Sequence, residues 1–531
     1  MKRTAPCLLL SAFLLPAQTP APAAAPPRVS PFADIASQDV RHYAITLQVD
    51  LQQRRLRGDV RYTITAVDDL ATIRLDAQRS EAWQVRFTTP DGTELPATWQ
   101  SDHVTLTLPQ PAAKGSDVQF VAQLDGTPVD GFYFQDNRYG DRLAFTDHYS
   151  IRARGWLPCE DNPTDRARFS LLLFYPTGSE AIGYGAPANV PAGAPPVPAG
   201  CRGAYLDSAT EIPPYMFAIA VGPFARVHED GDPRLIDHFV YPQDVDKAKA
   251  LLVHHAGWLR TMEQTFGPYA FGKYTTVQCP TRWGGFEAPG NVQLAESLFD
   301  QAEAGTGTLA HELAHMWFGD AVGYAEWHEV WLSEGFATYF GPWLHAEAGG
   351  PPLQDSMAQA RAVWRQSFEG RTKTVRDDRF SHPDRALNSN TYPKGAWVLH
   401  MLRGELGDET FFAAVKAYYE QFRGQSVRTS DFVAVVERVA KRELGWFFTQ
   451  WLDRVGCPEL RVRADGDALV VEQVQKGEPF TFWLRLRTGT GEGRQETRVR
   501  IEQRQQRVTI DGPVDNVLLD PLVELLYRQV R

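Results

Sequence analysis

Cysteine is scarce in this chain of 531 residues: Cys7, Cys159, Cys201, Cys279 and Cys457 are all there is. Their wide spacing matches neither a zinc knuckle nor a Cys-x-x-Cys redox pair. Four thiols beyond the first stretch of so long a chain demand no disulfide, and buried free thiols are the expectation for most of them. Basic residues are also in deficit, with 54 Lys and Arg against 65 Asp and Glu and a net charge of −11. That balance argues against a nucleic-acid binder, which needs a basic face. Long apolar runs are missing too. The run from Cys7 to Leu15 is about half of a membrane span, and nothing downstream resembles one, so no transmembrane segment is expected in the mature chain.

What is present is an ordinary globular composition, 43% hydrophobic and 22% charged, in a chain too long for one core. Lys2 and Arg3, the apolar run and then small residues have the layout of a secretory leader, 1–17, cut near Ala17. Periplasmic or secreted placement follows as an expectation. Residues 18–35 are rich in Pro and Ala, the composition of a flexible tether. Period-two alternation then begins: Tyr43, Ile45, Leu47 and Val49 share one face, and Leu56, Gly58, Val60, Tyr62 and Ile64 repeat it after a polar turn, which predicts a hairpin. Strand-like runs continue to Phe224, broken by PANVPAGAPPVPAG from Pro187, a surface loop by composition. Residues 36–224 therefore read as a β domain. Three- and four-residue apolar spacing dominates 225–455, as in DKAKALLVHHAGWLRTMEQTF and DETFFAAVKAYYEQF. Alternation returns in 456–531, where Phe480, Phe482, Leu484 and Leu486 share a face, followed by Val499 with Ile501 and Val508 with Ile510. A small β-sandwich is expected there. No internal repeat is present. The fold class is multidomain α+β.

The strongest chemical signal is His311-Glu312-Leu313-Ala314-His315. Residues four apart lie on one helix face, so both imidazoles can reach one ion, while Glu312 can sit beside a metal-activated water without binding the metal. Thr306 or Thr308 can cap this helix and Gly319 can end it. A third ligand is supplied by Glu334, nineteen positions after His315 and set among apolar and aromatic neighbours. A buried carboxylate is costly unless paired or metal-bound, and two histidines with a glutamate make a catalytic zinc set, one ion per chain. The plainer reading, an amphipathic helix with two histidines and an unrelated glutamate, leaves that carboxylate without a partner.

HELAHMWFGD followed by VWLSEGFATYF resembles the zinc signature of the M1 (gluzincin) aminopeptidases, a family that includes the leukotriene epoxide hydrolase/aminopeptidase group. Gly284-Gly285-Phe286-Glu287-Ala288, Tyr392-Pro393-Lys394-Gly395 and Pro158-Cys159-Glu160-Asp161-Asn162-Pro163 are similar to the family's Gly-x-Met-Glu-Asn, Tyr-x-Lys-Gly and Pro-Cys-x-Asp-x-Pro. The resemblance implies a thermolysin-like, mainly helical catalytic domain between the two β domains, without the helical C-terminal domain of most relatives. It also implies roles. Glu287 would anchor a substrate's free α-amine, with Gly284 and Gly285 admitting substrate backbone and Phe286 beside the first side-chain pocket. Tyr392 would donate to the oxyanion, and Glu312 would act as general base. Ala288 and Phe286 depart from the family's Asn and Met, and Tyr149 stands where a substrate-binding Gln aligns.

The implied function is zinc-dependent removal of N-terminal residues from peptides with a free N-terminus. Three rivals share these residues: a zinc endopeptidase, an epoxide hydrolase, and a catalytically silent, metal-free binding protein on the same fold.

Overall fold

The computed structural model describes residues 35–234 and 236–530. The expected leader, 1–17, and all but the last residue of the expected tether lie outside them. The alternating segments form the predicted hairpin: Gln38–Asp50 pairs antiparallel with Arg55–Ala66, placing Tyr43 opposite Tyr62, Ile45 opposite Val60 and Val49 opposite Leu56. Those side chains are buried while their neighbours on the strand are half-buried or exposed, as a sheet with one face on a core requires. Arg168–Pro176 runs parallel to the first strand and is apolar at nearly every position, LLLFY, which suits a strand covered on both faces. Seven strands make up this sheet, and two smaller sheets of four and three strands accompany it. The Pro-rich stretch after Pro187 is an exposed loop.

From Ala225 a different sheet begins, of five strands in the order Ala225–His228, Ile236–Val240, Tyr274–Cys279, Val292–Ala295 and Gly285–Phe286. The two-residue strand Gly285–Phe286 is an edge, paired on one side only with Leu294 and Gln293. Helices follow, and two of them carry the ligands suggested by the sequence: a histidine helix, Ala302–His315, and a glutamate helix, Trp331–Glu347. A Cβ built at Gly341 would lie 2.8 Å from the His311 Cα, so the two backbones touch at that point.

Three helix details differ from expectation. DKAKALLVHHAGWLRTMEQTF forms two helices, Val245–Leu251 and His255–Phe266. Glu229 Oε1 accepts the Ala256 amide at 2.7 Å and so starts the second helix afresh. The histidine helix begins at Ala302, which puts Thr306 and Thr308 inside it rather than at its cap. It ends at His315, and Gly319 sits in the turn beyond with φ +127°.

The C-terminal segment forms two sheets, one of four strands around Ala468–Gln473 and one of three around Phe482–Thr488. Phe480, Phe482, Leu484 and Leu486 are all buried. Cys159, Cys201, Cys279 and Cys457 are free thiols, three of them buried. No helix among the described residues is long and apolar enough to cross a membrane.

Candidate metal centre and active site

One turn of helix separates His311 from His315, and their Nε2 atoms lie 3.1 Å apart. Glu334 Oε2 is 3.4 Å from each of them. A tetrahedral ion with bonds of about 2.0–2.1 Å spaces its ligands by roughly 3.3 Å, so the triangle has the right size for zinc. Glu334 Oε2 is buried and has no hydrogen-bond partner, an expensive position unless a cation takes it up. The donor set, two imidazole nitrogens and one carboxylate oxygen, suits the same ion.

Each ligand is held from behind. His315 Nδ1 lies 2.9 Å from Ser333 Oγ and 3.3 Å from the Phe318 carbonyl, which leaves Nε2 facing the site. The His311 ring bonds the backbone of Ala337, one turn along the glutamate helix. Tyr392 donates from its hydroxyl to Glu334 Oε1 at 2.8 Å, and its ring stacks on His311. Tyr392 is presented by a wide helical turn, Asn390–Lys394, in which the Lys394 amide reaches back five residues to Ser389 O. Asn390 pins that turn, donating to the carbonyls of Glu369, Lys373 and Thr374 and accepting from Trp364 Nε1.

A cavity of about 180 Å³ opens onto the triangle. All nine residues singled out in the sequence line it: Gly284, Gly285, Phe286, Glu287, His311, Glu312, His315, Glu334 and Tyr392. Tyr149 lines it as well, together with Trp283, Thr308 and Leu387. Sequence reasoning gives no site role to those last three or to Ser333: Leu387 reaches the site by a tertiary contact, while Trp283 adjoins the Gly284 motif, Thr308 lies one turn before His311 on the same helix, and Ser333 stands inside the glutamate motif. Only the adjacency of Ser333 to Glu334 could have flagged it.

Glu287 and Glu312 are both buried, and each offers a carboxylate oxygen within 4.8 Å of the other and of a His315 nitrogen. Gly285 is what allows Glu312 to stand there. A Cβ at that position would fall 2.3 Å from Glu312 Oε1. Burial, reinforced by the neighbouring carboxylates, pushes both Glu287 and Glu312 above the usual carboxylate range. Burial would lower His315, but Glu287 and Glu334 hold it well above its usual value. The same burial would raise Glu334, yet the His315 charge and the His311 and His315 rings close to its carboxylate hold it low. Electrostatically the cavity is short of positive charge.

Fold and site together define a class, a metallopeptidase-type centre of two histidines and one glutamate on adjoining helices. The Peptidase M1 N-terminal domain matches residues 40–183 and the Peptidase family M1 domain matches residues 252–451, more than half of the chain between them, and the chain belongs to the M1 peptidase family. Aminopeptidase M1-C of Oryza sativa subsp. japonica is 26% identical over 478 residues, which is 82% of this chain and 52% of that protein. Aminopeptidase N of Streptomyces lividans is 31% identical over 309 residues, 52% of this chain and 36% of that protein. The chain thus spans about half the length, or less, of these curated relatives. Among solved structures, a two-domain M1 zinc metallopeptidase variant bound to L-tryptophan superposes with a TM-score of 0.66 at 25% identity, covering 79% of this chain and 95% of the other. A variant of the M1 zinc metallopeptidase from Deinococcus radiodurans gives 0.63 at the same identity and coverage.

Proposed function

We propose that the chain is a zinc aminopeptidase that removes single residues from peptides with a free N-terminus. One observation carries the reading: three buried carboxylates, Glu287, Glu312 and Glu334, converge on one cavity with no lysine or arginine among its lining residues. A divalent ion and one substrate ammonium balance those three charges, whereas a metal alone leaves one unmatched. Buried charge demands such pairing. An endopeptidase, whose substrate brings no ammonium to the site, has no use for the third carboxylate.

His311, His315 and Glu334 would hold the zinc, which when bound polarises the scissile carbonyl and activates water. Glu287 accepts charge-assisted hydrogen bonds from the α-ammonium and so fixes the first peptide bond of the substrate at the centre. Glu312 takes the proton of the attacking water and returns it to the departing amine. Tyr392, whose hydroxyl already points at the ligand set, donates to the oxyanion as the carbonyl becomes tetrahedral. Gly284, next to the edge strand, leaves open space, with nothing within 4 Å of a built Cβ, where substrate backbone can lie against the sheet edge. Tyr149, Trp283 and Phe286 give the cavity an aromatic wall.

The leader-like start of the chain, with Lys2 and Arg3 ahead of the apolar run, supports export to the periplasm or medium. N-terminal sequencing of the protein recovered from each compartment tests that placement.

The activity is tested with a panel of aminoacyl fluorogenic amides, each offered with a free and with an acetylated amine, to wild type, chelator-treated protein and Glu312→Gln. Cleavage of free-amine substrates alone, lost with chelator and in the variant, is the expected result. Equal cleavage of the acetylated forms would replace this reading with an endopeptidase, and no cleavage of any substrate by the zinc-loaded protein would favour a binding protein.

A further inference from the structure

A second set of donors with the same composition lies elsewhere in the catalytic region. Glu229 follows the strand Ala225–His228, His238 lies in the strand Ile236–Val240, and His255 opens the helix His255–Phe266. Glu229 Oε2 is 2.9 Å from His255 Nδ1 and 3.3 Å from His238 Nε2, and one donor atom from each of the three residues lies within 4.8 Å of the others. The two ring centroids are 4.8 Å apart, against 4.7 Å for His311 and His315. Both histidines are fully buried and Glu229 is 9% exposed. None of the three lines the active-site cavity.

The supporting bonds also match those of a metal site. His238 Nδ1 lies 2.9 Å from Thr276 Oγ1, which fixes the ring and turns Nε2 toward Glu229. Glu229 Oε1 is held by the Ala256 amide, so one oxygen caps the helix while the other is left to the imidazoles. Among the described residues, the only ion-pair partners of Glu229 are these two histidines, with no lysine or arginine within reach. No lysine or arginine pairs with this buried carboxylate, so a cation held between it and the two imidazole rings would supply the paired charge that burial favours. Beside His255 stands Tyr274, ring centroids 5.2 Å apart, with a buried hydroxyl that has no hydrogen-bond partner.

We propose that Glu229, His238 and His255 form a second metal site, distinct from the catalytic one, which takes a divalent transition ion of the zinc class and clamps the first two strands of the five-stranded sheet to the helix His255–Phe266. Calcium and magnesium are disfavoured, because they select all-oxygen shells and two of these three donors are nitrogen.

The test is a metal count on protein stripped with chelator, reloaded with zinc and freed of excess by gel filtration. Wild type should retain two ions per chain, and Glu229→Gln should retain one. His311→Ala, which disables the catalytic triangle, should also retain one and melt higher with zinc than without it. This last variant leaves the cluster untouched, so it decides the matter even if Glu229→Gln fails to fold, and it does so whether or not the protein is a peptidase. A single ion in wild type, none in His311→Ala, or two in a folded Glu229→Gln would each overturn the second site.

Discussion

At the scale of single residues, Tyr392 and Ser333 separate two kinds of contribution. Tyr392 touches Glu334 Oε1 at 2.8 Å and also faces the cavity, so it could act by holding a ligand or by donating to the oxyanion. Tyr392→Phe keeps the ring on His311 and removes only the hydroxyl. An oxyanion donor is worth about 10²–10³ in kcat, so that loss is expected, with zinc content unchanged when metal is counted alongside steady-state kinetics. Zinc loss in parallel with activity would make Tyr392 a positioning residue instead. Ser333 is the opposite case. Its hydroxyl lies 2.9 Å from His315 Nδ1, on the side away from the cavity. Ser333→Ala should weaken zinc binding about 10-fold, as loss of a partner behind a ligand does, while kcat of the fully loaded enzyme stays near wild type. Competition against a chromogenic chelator measures the first effect and assays in excess zinc the second.

At the scale of elements, the ligand triangle is a product of how closely two helices approach. His311 and Glu334 lie on different helices, and Gly341 lets those helices meet backbone to backbone, a built Cβ falling 2.8 Å from the His311 Cα and 2.9 Å from its nitrogen. No side chain can move aside there, because every atom in the way is main chain. Gly341→Ala should therefore force the helices apart, costing about 1–3 kcal/mol as overpacking does. It should weaken zinc binding far more than any change at the rim of the cavity, and urea melts of the apo protein beside zinc titrations would show both. Equal zinc affinity in Gly341→Ala would mean that the glutamate helix can reach the site from a wider spacing. The same contrast explains what can be read from the sequence. The His311 and His315 pairing is legible because it is periodic within one helix, and the hairpin from Gln38 is legible because its alternation repeats across a short turn. The start of the histidine helix at Ala302 is not, since threonines at 306 and 308 imitate a cap while lying inside the helix. Nor is the break between Leu251 and His255, because the carboxylate that starts the second helix, Glu229, lies far back in the chain. Leu387 enters the cavity wall for the same reason, through a contact that leaves no periodic trace, whereas Thr308 shares the His311 face of its helix at three-residue spacing.

For the molecule as a whole, two histidines outside both donor clusters, the buried His148 and the half-buried His400, set a pH limit on stability. His148 is fully buried between Trp156, whose Nε1 donates to its Nε2 at 2.7 Å, and the Pro214 carbonyl. Burial pushes its pKa down to about 3. His400 sits on the helix Gly395–Leu406 and donates from Nε2 to Val523 O at 2.8 Å, which ties the catalytic region to the C-terminal segment. Burial pushes it down to about 4. In the unfolded chain both return to about 6.5, so below that pH the unfolded state binds protons that the folded state refuses. Stability from these groups is complete above pH 6.5 and falls as the pH drops toward 4, by up to about 1.4 kcal/mol per pH unit for each histidine. His148→Gln keeps an acceptor for Trp156 and His400→Gln keeps a donor for Val523, and neither glutamine titrates. Urea unfolding of wild type between pH 7 and 4 should show the steep fall. Each variant should lose about one proton's worth of slope, and an unchanged slope in both would place the acid sensitivity in the carboxylates instead.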